Sequence, residues 1–423
     1  MIFKNRNKTL FQLFYEQLRN PIFGFIWVIF FVFILPLLFA LIISKNNKEL
    51  LITFLILVSL FLIVLEVLFR ISYRFLYGNP YKNFTRVPFE KIFVEPHPYL
   101  PFVIKKNFLL PGGVTGYPLH KDIYAFGKYY TNNLGFSNGL KGDRDVIIPK
   151  PSGIFRINCI GASTTANYLD YKGVSYSYPL ELENILKAKV GNNIEVNNCA
   201  VGGYNTAEIL ISFLLQIMDT DPDVIVLYHA YNDIRVYLTE DFKSDYSHAR
   251  KNLGENYWKF SITSKLPHTP FKFLNFLMEK WLPVDAGNSL LGQISKGKIN
   301  IDSNPILGLK TYERNIQYII DVCKSRKIHI LLSTYCHFLH DEISNDSIHL
   351  FYRQIVSKEN EIMRNLAKKN NILIVDNAAL IPENEQYFVD SVHFTPDGMK
   401  LLAANIAQAL EKIISKDIIR ENI

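Results

Sequence analysis

Three residues at two distant places in the chain carry the chemical groups of a serine hydrolase. Asp390 and His393 are three positions apart, close enough for one short turn to present both side chains. Ser163 follows a strand-like run, residues 154–160, where a nucleophile can stand at the carboxyl edge of a sheet. A serine hydroxyl is a poor nucleophile until a base takes its proton, and a histidine does this best when a carboxylate fixes its tautomer. These residues predict acyl transfer through an acyl-Ser163 intermediate.

Strand-like and helix-like segments alternate from about residue 151 onwards, which favours a parallel sheet covered by helices. The predicted strands are 155–160, 194–201, 224–229, 328–334 and 372–375, and the predicted helices are 178–189, 206–218, 308–327, 349–370 and 396–414. In such sheets ligands bind beyond the carboxyl ends of the strands. The first, second, third and fifth predicted strands are followed by Ser163, Gly203, Asn232 and the pair Asp390 and His393. We therefore expect these side chains to meet at one edge of the sheet.

Acyl transfer also needs hydrogen-bond donors, because its tetrahedral intermediate carries an oxyanion. Residues 198–206 follow the second predicted strand, and a glycine there lets a backbone N–H approach a substrate closely. Residues 229–233 follow the third predicted strand and offer the side-chain amide of Asn232. The N–H of Ser163, at the start of a predicted helix, would be a further donor.

The chain resembles the SGNH, or GDSL-type, hydrolase superfamily over residues 154–415. Four segments carry this resemblance, and in chain order they contain Ser163, Gly203, Asn232, and the pair Asp390 and His393. The resemblance implies a three-layer α/β/α, flavodoxin-like fold with a five-stranded parallel sheet. It implies esterase, lipase, carbohydrate deacetylase or acyltransferase activity, without a metal or another cofactor. It also implies roles for single residues, with Ser163 as nucleophile, Asp390 and His393 as acid and base, and Ser163, Gly203 and Asn232 as oxyanion donors.

Two of these segments depart from the family's usual pattern. The Gly-Asp-Ser-Leu motif is Gly-Ala-Ser-Thr here, closer to the Gly-x-Ser-Thr-Thr variant. The usual Gly-x-Asn-Asp begins with Ala230, which hardly weakens the resemblance because Asn232 is retained. The second segment contains both Gly202 and Gly203, and the position before Tyr204 favours Gly203 as the donor.

Two apolar stretches precede this region, residues 22–43 and 50–69. A bilayer core needs about 20 apolar residues in a helix, and both stretches are long enough. We therefore predict a two-helix transmembrane hairpin over residues 22–70, with a short turn at 44–49. The alternative, two buried core helices, is disfavoured because helices that are apolar on every side are rare in soluble domains.

Positive charge is concentrated around these stretches. Residues 1–86 hold ten Lys or Arg and three acidic residues, which accounts for the whole formal charge of +7. The remaining chain lacks the excess of basic residues that a nucleic-acid surface needs, so no nucleic-acid partner is expected. The basic tail, 1–21, carries four Lys or Arg, the turn two, and residues 70–86 four. Since positive residues mark the cytoplasmic side, this count favours a cytoplasmic catalytic domain. If only one of the two stretches spans the membrane, the catalytic domain lies on the opposite side.

The rest of the chain contains two segments without clear periodicity. Residues 71–150 are rich in aromatic residues and proline, and we interpret them as loops and short strands that connect the hairpin to a hydrolase domain at 151–423. An insertion at about 234–305 interrupts that domain and contains aromatic clusters. A loop of this length is usually functional or disordered, and its aromatic residues argue against disorder. A lid or substrate-binding insertion is favoured over an insertion that only packs.

The histidines and cysteines give a weaker signal. His337 and His340 lie near Asp341 and Glu342, which could suggest a metal cluster. A tetrahedral zinc site needs a closed ligand set, and no further ligand is evident in the sequence, so no metal is predicted. The four cysteines lack Cys-x-x-Cys spacing, and we expect buried free thiols rather than a disulfide or a metal site.

Taken together, these patterns predict a membrane-anchored serine esterase. Its expected partners are the lipid bilayer and an acylated small molecule or glycan, such as an O-acetylated envelope sugar, by analogy with the family. One alternative is an O-acyltransferase that uses the same triad with a sugar hydroxyl as acceptor, and another is an esterase for a membrane lipid. A catalytically silent binding module is the alternative outside enzymes.

Overall fold

The computed structural model describes residues 30–77, 94–95, 97–110, 118–120, 123–124, 129–137, 145–166, 169–171, 174–239, 241–249, 305–339 and 347–421. These residues fall into two compact units, the first holding 30–77 and the second the remainder. The basic tail predicted at 1–21 and most of the predicted insertion, 250–304, lie outside them. The domain boundaries proposed from the sequence therefore stay predictions.

The first unit consists of apolar helices. A π-helical turn, Phe30–Ile34, leads into α1, Leu35–Ile43, and α2 is Asn47–Tyr77. Among the described residues, one helical stretch is long and apolar enough to cross a membrane, Asn47–Leu68 in α2. The first predicted span, 22–43, begins outside the described residues, so the two-helix hairpin stays a prediction.

A five-stranded parallel sheet forms the centre of the second unit, as predicted. Its strands in chain order are β1, Phe155–Gly161; β2, Ile194–Asn198; β3, Val224–Tyr228; β4, His329–Ser333; and β5, Leu373–Val375. They lie in the spatial order β2-β1-β3-β4-β5, and every neighbouring pair is parallel. All residues of β1 and β3 are buried, as expected for strands covered on both faces.

Helices cover the sheet in two layers. They are α3, Ser163–Ala166; α4, Tyr178–Val190; α5, Thr206–Ser212; α6, Asn232–Tyr237; α7, Ile306–Ser325; α8, Ser347–Asn370; α9, Asn377–Leu380; and α10, Pro396–Glu421. Helix α4 packs against α10, whereas α7 packs against α5, α6 and α8. This is the three-layer α/β/α arrangement that the family resemblance implies, and it contains the helix-covered parallel sheet that the alternation of segments predicts. The predicted helix 206–218 is shorter than expected, because α5 passes into a π-helical turn at Phe213 and a 3₁₀ turn at Met218.

Short antiparallel strands accompany this core. Val94–Glu95 pairs with Val103–Ile104, and Leu109–Leu110 pairs with Tyr129–Tyr130. A further sheet has four short strands, in the order Pro118–His120, Ile123–Tyr124, Leu169–Tyr171 and Val174–Tyr176. Short strands were predicted for the connecting region, but the hairpin that follows α3 was not.

The strand order places a crevice between β1 and β3. The chain runs from β1 to β2 on one side and then returns to β3 on the other side. Ligands of open α/β sheets bind at such a reversal, beyond the carboxyl ends of the strands. The predicted nucleophile follows β1 and the predicted oxyanion amide follows β3, so the topology brings Ser163 and Asn232 to this crevice.

Candidate active site

Ser163 stands on a tight turn at the carboxyl end of β1, where the short helix α3 begins. The hydroxyl of Thr165 fastens this turn by donating to the carbonyl oxygen of Tyr228, the last residue of β3, at 3.3 Å. Gly161 has no room for a side chain, because a Cβ would lie 2.4 Å from the same carbonyl oxygen. The first glycine and last threonine of the Gly-x-Ser-Thr-Thr motif therefore hold β1 close to β3. Ser163 itself stays partly exposed at the crevice.

One turn presents both Asp390 and His393, as their spacing predicts. Asp390 Oδ1 accepts the backbone N–H groups of Val392 at 2.9 Å and of His393 at 2.8 Å. Its other oxygen, Oδ2, lies 2.7 Å from His393 Nδ1. On the far side of the imidazole, Nε2 lies 3.0 Å from Ser163 Oγ. The structure thus brings the three predicted side chains into one hydrogen-bonded chain.

The charge of Asp390 follows from this environment. Burial alone raises the pKa of Asp390, but the hydrogen bonds from His393 and Val392 and the electrostatic attraction of the adjacent imidazole together outweigh it and hold the pKa below the usual range. The carboxyl group is therefore ionised at neutral pH. An ionised carboxylate favours the imidazole tautomer with hydrogen on Nδ1, which leaves the Nε2 lone pair facing Ser163 Oγ. General-base activation of a hydroxyl requires this geometry.

The segment after β2 contacts both Ser163 and Asn232, the predicted oxyanion residue. A Cβ at Gly202 would lie 3.9 Å from Ser163 Cβ, so Gly202 adjoins the nucleophile. Gly203 has φ of +87°, a left-handed conformation that glycine adopts without strain. Asn232 Nδ2 donates to the carbonyl oxygen of Tyr204 at 2.9 Å. The segment 202–204 therefore lies between Ser163 and Asn232, and Gly203 stays the predicted backbone donor.

The backbone just before Asn232 is strained. Tyr231 has φ of +51° and ψ of −52°, and the N–H of Asn232 donates to the carbonyl oxygen of Ala230 at 2.5 Å. This γ-turn with a positive central φ is rare, especially for a large aromatic residue. The ring of Tyr231 packs at 5.0 Å from the ring of Tyr352 on α8, which helps to hold the turn. Strain of this kind concentrates at functional sites, where the surrounding fold imposes it.

A buried polar network lies directly behind Asn232, and reasoning from the sequence missed it. Asp233 Oδ1 accepts the hydroxyls of Thr206 at 2.5 Å and of Tyr246 at 2.7 Å. Its Oδ2 accepts the backbone N–H of Thr206 at 2.9 Å and lies 2.7 Å from His229 Nε2. The carboxylate therefore joins the first turns of α5 and α6, each of which follows a predicted oxyanion segment. In the sequence, only the adjacent pair Asn232 and Asp233 indicated this network, because the groups that bond to Asp233 are scattered along the chain.

Asp233→Asn should destabilise the protein and slow ester hydrolysis. An asparagine puts an N–H₂ group where the carboxylate accepts donors, so one of these bonds becomes a clash of donors. Hydrogen bonds to charged groups contribute about 1.5–3 kcal/mol each, and we expect a loss of about 2–4 kcal/mol in the free energy of unfolding. Urea denaturation would measure this loss. The matched control is Asp219→Asn, because Asp219 is exposed and its replacement should leave stability unchanged; equal stability of the two variants would contradict the role of the network.

Other potential ligands in the described part of the chain do not form a metal site. Within the described ranges, no group of three or more His, Cys, Asp or Glu side chains is arranged to hold a metal ion. His340, Asp341 and Glu342, which the sequence analysis considered, lie outside the described residues. The four cysteines are free and buried, as expected for thiols that pack in the core.

Comparison with protein families decides the identity of the fold. Residues 159–401 match the model of the GDSL-like lipase/acylhydrolase family. The chain belongs to this family. The match begins in β1 and ends in α10, so it contains every predicted site residue of the acylhydrolase. This GDSL-like acylhydrolase is accordingly an ester hydrolase of the SGNH type, as the sequence motifs predict.

Several solved structures are similar to the acylhydrolase, whereas no curated protein matches it. Axe2, an acetylxylan esterase from Geobacillus stearothermophilus, is 16% identical over 61% of this chain and 94% of its own, with a TM-score of 0.37. A GDSL-like lipase from Bacteroides thetaiotaomicron is 18% identical over 61% and 88%, with a TM-score of 0.34. LAE5, an alpha/beta hydrolase from the metagenome of Lake Arreo, Spain, is 13% identical over 60% and 94%, with a TM-score of 0.38. These values leave the substrate to be argued from the residues of this chain.

Proposed function

We propose that this acylhydrolase is a membrane-anchored serine esterase that removes an acyl group, acetyl by preference, from a carbohydrate. The observation that carries the proposal is the hydrogen-bonded chain from Asp390 through His393 to Ser163, with distances of 2.7 and 3.0 Å. These three groups are those of serine hydrolases on several unrelated folds, where they are recognised by geometry rather than by position in the sequence.

In the proposed reaction, Ser163 Oγ attacks the ester carbonyl while His393 Nε2 takes its proton. Collapse of the tetrahedral intermediate breaks the ester bond, and the leaving alcohol receives this proton from His393. The product of this half is acyl-Ser163. Water then attacks the acyl group while His393 takes its proton. As the acyl–Ser163 bond breaks, His393 returns this proton to Ser163 Oγ and the carboxylic acid leaves. Asp390 stabilises the imidazolium in both halves.

The proposed oxyanion donors are the backbone N–H groups of Ser163 and Gly203 and the side-chain amide of Asn232. An amide nitrogen carries two hydrogens, so the bond from Asn232 to Tyr204 uses one and leaves the other for the oxyanion. The same bond fixes the amide before the substrate arrives. Donors that are already in position are worth more than donors that must reorganise during the reaction.

Asn232→Ala should keep the fold and lose most activity. Removal of one oxyanion donor typically lowers kcat about 10²–10³-fold, and we expect a loss of this size. The measurement is the rate of hydrolysis of p-nitrophenyl acetate, with thermal unfolding to check the fold. Asn365→Ala, at an exposed position within α8, is the control. Normal activity in a well-folded Asn232→Ala variant would rule out the oxyanion role.

The membrane anchor is proposed as a hairpin of the two apolar stretches. The rings of Phe39 in α1 and Phe61 in α2 lie 6.5 Å apart, which supports an antiparallel pair of helices. Large apolar side chains of α2 are exposed, for example Leu55 and Ile56 at 55% and 62%, as lipid-facing residues would be. The charge count favours a cytoplasmic hydrolase domain. A reporter fused to the C-terminus would establish the side.

The test of the proposed function uses the full-length protein in detergent. Hydrolysis of p-nitrophenyl acetate would establish esterase activity, and release of acetate from acetylated sugars would establish the carbohydrate preference. A folded protein that hydrolyses neither ester, but whose Ser163 reacts with a fluorophosphonate probe, would point instead to an O-acyltransferase that needs its acceptor. A folded protein whose Ser163 resists the probe would point to a binding module.

A further inference from the structure

His337 lies just beyond the carboxyl end of β4. The sequence predicts site residues after the other four strands of the sheet but none after this strand. The backbone N–H of its neighbour Phe338 donates to the carbonyl oxygen of Ser391 at 2.9 Å. This bond ties the loop after β4 to the turn that presents Asp390 and His393. The ring of His337 also stacks on the ring of Tyr231 at 6.1 Å, next to Asn232 in sequence. His337 therefore borders the candidate active site.

The imidazole of His337 is buried, and its hydrogen bonding is unmet by the residues that the structure describes. The residue is 6% exposed, and neither ring nitrogen has a hydrogen-bond partner within the described part of the chain. A buried polar group without a partner costs about 1–3 kcal/mol, so each instance in a native structure calls for an explanation. A ligand that supplies the missing partners is such an explanation at the edge of an active site.

Another buried histidine of this chain shows the usual solution. His248 is 8% exposed, and its Nδ1 accepts the backbone N–H of Lys243 at 3.1 Å. Its Nε2 lies 2.9 Å from the carbonyl oxygen of Val236. Both nitrogens of His248 are thus satisfied by the backbone. This histidine serves as an internal reference for His337, whose nitrogens are left for another partner.

The protonation state of His337 limits which chemical class of ligand can hydrogen-bond to its ring. Burial, the largest cause, together with the neighbouring Arg353 and His349 lowers its pKa to about 4, whereas the Asp390 carboxylate opposes this shift. The ring is therefore neutral at physiological pH. A neutral imidazole has one donor and one acceptor nitrogen. A hydroxyl group can both accept and donate, so a polyhydroxylated ligand matches both nitrogens without a charge.

We propose that His337 binds a hydroxyl of the sugar that bears the acyl group, in a subsite bordered by Tyr231 and Tyr352. The subsite rests on the proposed function, because it assumes a carbohydrate ester at Ser163. Its position follows from the two contacts above, which connect His337 to the base-bearing turn and to the residue before Asn232. Bound sugar would restore the hydrogen bonds that the folded protein leaves unmade.

The test compares His337→Phe with wild type as full-length protein in detergent. The substrates are a partially acetylated methyl glucoside and p-nitrophenyl acetate, which has no sugar hydroxyl. We expect the ratio of kcat/KM for the glucoside to that for p-nitrophenyl acetate to fall about 10–100-fold, because the variant cannot bond the hydroxyl. The Tm should stay equal or rise by a few degrees, since an unsatisfied buried group is removed. If phenylalanine is too large for the site, His337→Leu provides a smaller apolar replacement for the same comparison.

The matched control is His248→Phe. This variant loses two satisfied bonds, so its Tm should fall while its substrate ratio stays that of wild type. The subsite is overturned if the His337 variants keep the wild-type ratio, or if they lose Tm and both activities together, as a purely structural histidine would.

Binding of the unacetylated methyl glucoside, followed by saturation-transfer NMR, separates this subsite from the proposed function. Binding that weakens in the His337 variants supports the subsite even if the wild type hydrolyses no sugar ester, in which case the proposed function fails alone. Absent binding to wild type, or equal binding to wild type and variants, overturns the subsite. If wild type hydrolyses acetylated sugar, the esterase function stands whether the binding result supports the subsite or overturns it.

Discussion

Replacement of Ser163 by alanine should abolish ester hydrolysis while the protein stays folded. The substitution removes the hydroxyl that lies 3.0 Å from His393 Nε2, and with it the acyl-enzyme route. Loss of the nucleophile in a serine hydrolase costs about 10⁶-fold in kcat, and the remaining catalysis comes from the oxyanion donors and binding. Because Ser163 is only partly buried and the turn is held by Thr165, stability should change little.

Two independent measurements check this expectation. Hydrolysis of p-nitrophenyl acetate reports the loss of turnover, and labelling by a fluorophosphonate reports the loss of the reactive hydroxyl. Ser325→Ala is a suitable control, because Ser325 is exposed at the end of α7 and should behave like wild type in both assays. Full hydrolysis by Ser163→Ala would show that the observed esterase activity arises elsewhere in the protein.

Asp390→Asn should lower kcat about 10⁴-fold, the effect of the equivalent change in a serine protease. The Oδ1 of asparagine can still accept the N–H groups of Val392 and His393, so the turn should keep its shape. The amide nitrogen then faces His393 Nδ1 and, as a donor, favours the tautomer with hydrogen on Nε2. In that tautomer Nε2, the nitrogen that faces Ser163, has no lone pair to take the proton of the hydroxyl.

The measurement is kcat for p-nitrophenyl acetate as a function of pH, beside thermal unfolding. Asp397→Asn provides the control, since Asp397 is an exposed carboxylate on the first turn of α10. We expect the control to follow the wild-type profile and Asp390→Asn to stay low throughout. A variant that keeps the fold and more than about a tenth of wild-type kcat would remove Asp390 from the triad.

In the proposed oxyanion hole, one carboxylate can hold both donor segments in register. Gly203 and Asn232 follow different strands, and their proposed donors would have to point at a single oxygen. Asp233 bonds the first turn of α5 and belongs to the first turn of α6, so it sets the distance between the two segments. Donors that are fixed in this way need no reorganisation when charge develops on the oxygen.

Much of the chemistry was readable from local sequence. The three-residue spacing of Asp390 and His393 determines that one turn presents both, and backbone hydrogen bonds to Asp390 realise it. Short apolar runs alternating with helical periodicity determine a parallel sheet, because each pattern reports the local environment of its own segment. The motif around Ser163 marks the place of the proposed nucleophile, and it carries the resemblance to the family that the match over 159–401 confirms.

Other features depend on contacts between residues that are far apart in the chain, and periodicity carries no information about such contacts. The order β2-β1-β3-β4-β5 is one of them, and it decides that Ser163 and Asn232 share a crevice. The positive φ of Tyr231 is another, because surrounding packing imposes a conformation that its own side chain disfavours. The lack of a hydrogen-bond partner for His337 among the described residues belongs here too, since only the folded chain determines which polar groups are buried and which of them find partners. The sequence by itself determined the reactive groups and the class of fold, and the tertiary structure decided how those groups meet and which buried polar groups have no hydrogen-bond partner among the described residues.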